Sequence, residues 1–313
     1  MEKVGKLAEG AERVSFYNQI AKNKRKSVVL GIFVFFILAA LVYVIALIFA
    51  PGFSIGILTF AGILIIVYAW GTYQYGDRIV LAATKAKEVS EDDTTYVHLM
   101  NVVDGLSIAA GIPRPKVYII ESNEMNAFAT GKDPKHASVA VTTALLQNLK
   151  RDELEGVIGH EMSHIANYDI RFATLVAIMV GLIAILSDIL LRSFWFGGRG
   201  VSRGGRDKGG GEGILILIGF VLAIFAPIIV RLVQLAVSRK REYLADASSA
   251  KLTRYPEGLA SALEKLKANN KGNMPVSEAV SHLFFVDPKR SALDVLYATH
   301  PPIDERIRIL RAM

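Results

Sequence analysis

The sequence predicts an α+β membrane protein, with a mostly helical domain, a small β-sheet and four transmembrane helices arranged as two hairpins. Three observations indicate this class. Hydrophobic residues make up 52% of the chain and only 21% are charged, which is more apolar than a soluble domain requires. The apolar residues are concentrated in a few long segments. The stretches between them have ordinary soluble composition and contain short alternating patterns typical of strands.

The first predicted hairpin covers residues 28–76, in which no residue is charged. The turn pair Pro51-Gly52 divides it into two spans, each long enough to cross roughly 30 Å of hydrocarbon. These spans are Val28–Ala50 and Phe53–Tyr75. The apolar segment is too long for a signal peptide and continues directly into a second span. We therefore expect residues 1–27, a basic tail, to precede a membrane anchor.

A second pair of apolar segments lies within residues 172–237, around a connector at 192–212 that is rich in Gly, Ser and Arg and predicted to be flexible. The two segments are Phe172–Leu191 and Gly213–Val237. Seven Lys and Arg residues in the tail favour a cytosolic tail. The connector carries five Lys and Arg residues and would then lie outside, against the positive-inside rule. Either the first hairpin dominates the orientation, or the second pair does not cross the membrane completely.

Residues 77–171 and 238–313 have soluble composition and are predicted to form one domain in two parts. The predicted elements are a helix ending at Gly111, strands at Lys116–Ile120, Asn126–Thr130 and Ser138–Thr142, and a helix from Glu153 to about Ala166. Asp152 and Glu155 have the spacing of a capping box at the start of this last helix.

His160, Glu161 and His164 form an HExxH pattern on that helix. Residues four apart lie one turn apart, so both imidazoles project from the same face and can bind one metal ion. Glu161 lies beside the pair and can take a proton from a metal-activated water. The alternative is a solvated amphipathic helix that carries the pattern by chance.

A catalytic zinc ion normally takes three protein ligands, and the chain has no cysteine to supply one. The metzincin extension HxxGxxH is also absent after His164. The segment Arg241–Asp246 offers a carboxylate instead: Glu242 is predicted to bind the metal, and Asp246, one turn later, to orient a ligand histidine. Because two spans return the chain to the side it left, these groups can meet. A solvated charged helix is the alternative for this pair.

The order of these motifs resembles that of the HtpX family of membrane zinc metallopeptidases. The resemblance extends over nearly the whole chain and rests on the basic tail, both apolar pairs, Asn126–Gly131, His160–His164, Arg241–Asp246, and His300-Pro301-Pro302 with Arg306. It implies a zincin-type (gluzincin) catalytic domain with one Zn²⁺ per subunit, bound by His160, His164 and Glu242, and with Glu161 as base. It also implies a multi-pass protein of the cytoplasmic membrane whose catalytic domain faces the cytosol.

The resemblance suggests substrate contacts as well. The predicted substrate-binding strand contains Asn126, Ala127, Phe128 and Ala129. Such an edge strand can pair with an extended peptide, although a plain half-buried strand is the alternative. His300 can donate to the developing oxyanion or can be a structural residue of its turn. Arg306 either binds substrate or pairs with an acid.

The sequence therefore predicts a membrane-anchored zinc metalloendopeptidase that hydrolyses peptide bonds with a zinc-activated water. Its expected partners are unfolded or misfolded membrane proteins and the lipid bilayer, in membrane-protein quality control. No nucleic-acid partner is expected, because the basic residues behind the net charge of +7 lie beside the apolar spans. A non-catalytic zinc-binding scaffold is one alternative. A transporter is another, since Asp188 and Arg231 lie in apolar segments, but it leaves the HExxH pattern unexplained.

Overall fold

The computed structural model describes residues 54–178, 239–288 and 300–313, together with residues 25, 28, 29 and 32. The helices are α1 Ser54–Ala83, α2 Val97–Ala110, α3 Thr143–Asn148, α4 Arg151–Ala166, α5 Arg239–Thr253, α6 Pro256–Asn269, α7 Glu278–Ser281 and α8 Ile303–Leu310. The strands are β1 Lys87–Glu88, β2 Lys116–Ile120, β3 Ala127–Gly131 and β4 Ala137–Thr142. Short 3₁₀ turns cover Thr94–Tyr96 and Pro134–His136, and residues 169–178 are helical.

The described residues confirm the mostly helical α+β class with a small mixed sheet. Most of the tail, most of the first span, the 192–212 connector and most of the second apolar pair lie outside these residues. A search of the described part finds no helix that is both long and apolar enough to span a membrane. The four transmembrane helices therefore remain a prediction.

The predicted strands and helices agree closely with the observed ones. β2 has the predicted bounds, and β3 and β4 are displaced or extended by one residue. The helix before Gly111 ends as predicted, with this glycine in the left-handed conformation at φ 65°. The predicted start of α4 is wrong: the helix begins two residues early, at Arg151, so Asp152 does not cap it. The backbone N–H of Lys150 instead donates to the Glu153 carboxylate at 2.7 Å.

The four strands form one mixed sheet in the order β1-β2-β4-β3. β2 and β4 run parallel, while β1 and β3 pair antiparallel with their neighbours. The antiparallel register of β3 on β4 sets Ala127 opposite Val141 and Ala129 opposite Val139. β3 is thus an edge strand, and its second edge is available to groups other than β4.

Helix α4 lies at the centre of the larger core, between one face of the sheet and helices α2, α5 and α6. Eleven of its sixteen residues are buried, among them Leu154, Val157, Ile158, Met162 and Ile165, which are at most 2% exposed. Two neighbouring helices approach it closely at glycines. A Cβ on Gly156 would lie 2.6 Å from the Leu259 backbone nitrogen in α6, and one on Gly159 would lie 2.8 Å from Ser249 Oγ in α5.

The other face of the sheet carries a second, smaller core. Phe128 and Ala140 point into it and meet Phe284, the end of α1 and the helical residues 169–178. Helix α1 packs there through Val80 and Leu81, and a Cβ on Gly76 would lie 2.8 Å from Ile178 Cδ1. Farther toward its N-terminus, α1 leaves an apolar stripe uncovered. The stripe consists of Phe60, Ile63, Ile66, Val67 and Trp70, each more than half exposed.

The close contact between α4 and α6 predicts that alanine substitutions at two helical glycines have different effects on stability. Gly156→Ala should destabilise the fold by about 1–3 kcal/mol, because the added methyl group meets Leu259 backbone atoms that cannot turn away. Gly105→Ala is the matched control, since an added methyl group at this helical glycine meets nothing within 4 Å and helix propensity improves by up to about 1 kcal/mol. Thermal unfolding of both variants checks this. Equal melting temperatures would contradict the proposed tightness of the contact.

Candidate metal centre

Three ligand-type side chains converge between α4 and α5. Nε2 of His160 lies 3.1 Å from Nε2 of His164, because residues four apart share one face of α4. Glu242, on α5, places its two carboxylate oxygens 3.6 Å from these nitrogens, one oxygen facing each ring. Among the described residues, this is the group of His, Asp and Glu side chains that is arranged to hold a metal ion. All three are the ligands predicted from the sequence, and the fold brings them together.

A carboxylate contacts Nδ1 of His160, the ring nitrogen that does not face the other ligands. Asp246 Oδ1 lies 2.9 Å from Nδ1 of His160, and both side chains are about 1% exposed. Arg306, from α8, donates to both oxygens of Asp246, through Nε at 2.8 Å and Nη2 at 2.7 Å. This contact keeps the proton on Nδ1 and the lone pair on Nε2, directed at the shared point. Asp246 therefore lies at its predicted place. Arg306, predicted to bind substrate or pair with an acid, lies behind Asp246 and outside the lining of the cavity.

The second histidine has an equivalent arrangement that the sequence did not predict. Asp169 Oδ2 lies 3.0 Å from Nδ1 of His164, and Asp169 Oδ1 lies 3.4 Å from Nη1 of Arg241. Asp169 follows α4 after a turn in which Tyr168 takes a left-handed conformation, with φ 59°. Each ligand histidine is thus oriented by a buried aspartate that an arginine contacts in turn.

Glu161 lies beside the convergence point and is 2% exposed. Its carboxylate is close to the backbone N–H of Ala129, at the edge of β3 that does not pair with β4. Burial raises the pKa of the Glu161 carboxyl, and this effect outweighs the nearby histidines, which lower it. A carboxylate with a raised pKa is a better proton acceptor near neutral pH than an exposed glutamate.

His300 contacts the third ligand from the opposite side. Its Nδ1 lies 2.9 Å from Glu242 Oε2, and its Nε2 is buried with no hydrogen-bond partner among the described residues. The ring lines the same cavity as Glu161 and the three ligands. His300 therefore supports a ligand through one nitrogen and leaves the other available toward the cavity.

The electrostatics of the group favour a cation. Burial disfavours a charge on His164, but contacts with Asp169 and Glu242 outweigh this and raise its pKa to about 9. Burial likewise opposes the charge on Glu242, yet the positive neighbours, first among them His300, hold its pKa well below the usual range. The carboxylates thus stabilise positive charge where the three ligand atoms meet.

The geometry and donor set fit zinc. In a tetrahedral site with bonds of about 2.0–2.1 Å, ligand atoms lie about 3.3–3.4 Å apart. The observed separations of 3.1 and 3.6 Å lie on either side of this value. Two imidazoles and one carboxylate, with both rear nitrogens already oriented, match the three-ligand pattern of catalytic zinc sites.

The predicted substrate strand is largely enclosed. All five residues of β3 are buried, and only Ala129 of the predicted strand residues lines the cavity. The backbone N–H of Phe285 donates to Ala127 O at 2.8 Å. The side chain of Asn126 makes two hydrogen bonds with the backbone of Val286, at 2.8 and 3.1 Å. Phe128 points into the second core. A substrate that paired along Ala127 would therefore have to displace Phe285.

Three polar residues of the cavity wall are not predicted as functional from the sequence. Asp169 lies beyond the end of α4, Arg241 immediately precedes Glu242 in a charged run, and His282 follows α7. Nε2 of His282 lies 3.1 Å from Ala173 O, and burial lowers the pKa of this histidine to about 4. Only the position of Arg241 next to a predicted ligand could have pointed to it in advance.

Comparison with known proteins places the chain in a family. Residues 94–313 match Peptidase family M48. The Protease HtpX homolog of Dictyoglomus turgidum is 47% identical over 300 residues, which cover 96% of this chain and 95% of that protein. The Protease HtpX homolog of Streptococcus uberis is 42% identical, over 95% of this chain and 99% of that protein. The crystal structure of S. mikatae Ste24p aligns with a TM-score of 0.46 and 20% identity, over 93% of this chain and 67% of that chain.

The family match covers most of the described domain, including α4, α5 and the three ligand-type residues. The HtpX homologs align almost end to end with this chain at more than 40% identity. The chain therefore belongs to peptidase family M48, within the HtpX group of metalloproteases.

Proposed function

We propose that this metalloprotease is a zinc-dependent endopeptidase that binds one Zn²⁺ through His160, His164 and Glu242. The observation that carries the proposal is the convergence of three ligand atoms 3.1–3.6 Å apart, with Nδ1 of each histidine held by a buried aspartate. Such an arrangement directs both Nε2 lone pairs at one point before any metal binds. A solvated charged helix would not bury these groups.

The residues around the metal position have complementary roles. Bound zinc supplies Lewis-acid activation of water and of the scissile carbonyl group. Glu161 takes the proton of the attacking water and returns it to the leaving amine, and the raised pKa of its carboxyl suits both transfers. His300, with a proton on each ring nitrogen, donates from Nε2 to the oxygen that becomes negative in the transition state, while Nδ1 donates to Glu242. Ala129, beside Glu161, offers backbone groups to an extended substrate.

We further propose that the enzyme is anchored in the cytoplasmic membrane with its site facing the cytosol, and that it degrades unfolded or misfolded membrane proteins. The exposed apolar stripe of α1, from Phe60 to Trp70, supports the anchor, because soluble surfaces rarely leave such a row uncovered. The stripe lies on the same helix that packs at Gly76 against Thr174 and Ile178, in the helical segment whose residue Ala173 lines the cavity. Substrates tethered to the bilayer would thus meet the site at a high effective concentration.

A non-catalytic zinc-binding scaffold is the second candidate, because the same three ligands would serve it. It does not require an acid at Glu161, whose carboxyl is buried beside the metal position. Burial of a carboxyl is costly, and a buried carboxyl with a raised pKa in a cavity is typical of a group retained for proton transfer.

Substitution of two glutamates should separate zinc binding from proton transfer. Glu161→Gln should retain zinc but lose cleavage by about 10²–10⁴-fold, because an amide cannot accept the proton of water. Glu242→Ala should lose zinc and activity together, because two histidines bind the ion weakly. Zinc content and casein cleavage are measured side by side. Glu155→Gln, on the outer side of α4 with Arg151, is the control that should change neither. A zinc-loaded wild type without peptidase activity would favour the scaffold.

The oxyanion role of His300 predicts a selective loss of turnover. His300→Ala should lower kcat by about 10²–10³-fold with little change in KM, because the missing donor acts mainly on the transition state. Zinc content should remain close to one per chain. His136→Ala is the control, since this exposed histidine pairs with Asp133 away from the cavity. A parallel loss of zinc in His300→Ala would show that the contact with Glu242 is its main contribution.

The anchoring proposal predicts that tethered substrates are favoured. In liposomes, one unfolded segment fused to a membrane anchor should be cleaved at least about tenfold faster than the free segment at the same total concentration. The control is the same pair in detergent at high micelle excess, where the advantage should disappear. Equal rates in liposomes would remove the case for selection at the membrane and leave the zinc chemistry untouched.

A further inference from the structure

Arg241 differs from Arg306, another arginine beside the site, because most of its hydrogen-bonding capacity is unused by the residues that the structure describes. The Arg241 side chain is 7% exposed and lines the cavity that contains Glu161 and the metal ligands. Its Nη1 lies 3.4 Å from Asp169 Oδ1, and its guanidinium lies 5.1 Å from the centre of the Phe172 ring. Nε and Nη2 are buried and have no hydrogen-bond partner among the described residues.

Arg306 provides an internal comparison. It is buried in the same region, yet Nε and Nη2 both donate to Asp246, and Nη1 lies 3.5 Å from Phe285 O. A buried donor that lacks an acceptor is destabilising, and folded proteins rarely keep one without a reason. Within the part of the chain that the structure describes, Arg241 has two such donors, and both belong to a residue on the cavity wall. We propose that the missing acceptor is the substrate, and that Arg241 binds a backbone carbonyl oxygen of the peptide close to the scissile bond.

Desolvation favours a carbonyl group over a carboxylate. This step rests on the proposed zinc site. Four carboxyl groups, those of Glu161, Glu242, Asp169 and Asp246, already lie at the metal position or behind its ligands. An additional buried carboxylate from the substrate would be repelled by them and would carry a large desolvation cost. A neutral carbonyl oxygen accepts from Nε or Nη2 without adding charge, and every extended peptide presents such oxygens at regular intervals.

The competing explanation is that Arg241 is only a positioning residue, which acts through Asp169 on His164. The two explanations differ in what they predict for zinc. A positioning residue would change zinc affinity, as substitutions of residues that orient metal ligands do by about 10–100-fold. A substrate-binding residue would leave zinc affinity nearly unchanged and weaken peptide binding instead.

The test uses the full-length protein with Glu161→Gln, so that peptide binding is read without turnover and does not depend on cleavage. Arg241→Met removes every donor while keeping most of the side-chain volume. We expect zinc affinity within about twofold of the parent and peptide affinity lower by about 10–100-fold, the range for a lost hydrogen bond to a charged group. Asp169→Asn is the positioning comparison and should weaken zinc binding. Arg308→Met is the surface control, since this arginine pairs with Glu305 in solvent.

A second measurement identifies the acceptor. Each backbone carbonyl of one fluorescent peptide is replaced in turn by a thiocarbonyl, whose sulfur is a weaker hydrogen-bond acceptor. One replacement should weaken binding to the Arg241 protein, and that penalty should vanish in Arg241→Met. If Arg241→Met does not fold, Arg241→Lys is used instead. This variant should change the loss of peptide affinity caused by the thiocarbonyl replacement and leave zinc affinity unchanged.

Three outcomes would overturn the proposal. Zinc affinity that falls in Arg241→Met as it does in Asp169→Asn would assign a positioning role. Thiocarbonyl penalties that are identical with and without Arg241 would exclude the carbonyl contact. A loss of affinity in Arg241→Met that is confined to peptides containing Asp or Glu would identify a side-chain carboxylate as the acceptor. If zinc does not bind to the parent protein at all, the proposed function fails first, and the two failures remain distinguishable.

Discussion

The close packing of α5 against α4 is the constraint on which the candidate site depends. His160 and Glu242 are far apart in the chain, and their ligand atoms lie 3.6 Å apart only because the two helices pack closely. Gly159 makes that approach possible, since a Cβ there would lie 2.8 Å from Ser249 Oγ. Ser249 Oγ also donates to Gly156 O at 2.6 Å, which ties the helices together one turn before the first histidine. Packing and metal geometry are therefore set by the same few contacts.

Two Arg–Asp–His chains surround this contact, and they differ in how completely they are satisfied. In the first, Arg306 saturates Asp246, and the whole unit is almost inaccessible. In the second, Asp169 lies 3.0 Å from His164, while Nε and Nη2 of Arg241 have no acceptor in the residues 54–178, 239–288 and 300–313. A saturated buried ion pair mainly fixes geometry, because its charges already have their partners. An ion pair with unused donors can still form hydrogen bonds with a further acceptor. The pair with unused donors is the one that faces the cavity.

Much of the fold and of the site follows from local patterns. Helical periodicity predicts the shared face of His160 and His164, and the polar or Gly/Pro turns around a short segment predict β2 with its observed bounds. The missed features arise from tertiary structure. Asp169 reaches His164 only through a turn in which Tyr168 has φ 59°, a conformation that a tyrosine does not signal in a sequence. Arg306 and Arg241 carry the same charge, and only the packing of α8 and α5 decides which of them is saturated.

The enclosed edge of β3 has a consequence for the behaviour of the protein in a crowded environment. An open edge strand is a template for any extended chain, including a second copy of the same protein. Here the backbone N–H of Phe285 donates to the carbonyl group of Ala127, and Thr174 Oγ1 accepts from the N–H of Gly131. The side chain of Asn126 donates to the backbone carbonyl group of Val286. A protein exposed to unfolded polypeptides would otherwise nucleate mixed sheets with them. The residues that cover β3 thus protect against aggregation. Another polypeptide chain must displace them before it can pair with the strand.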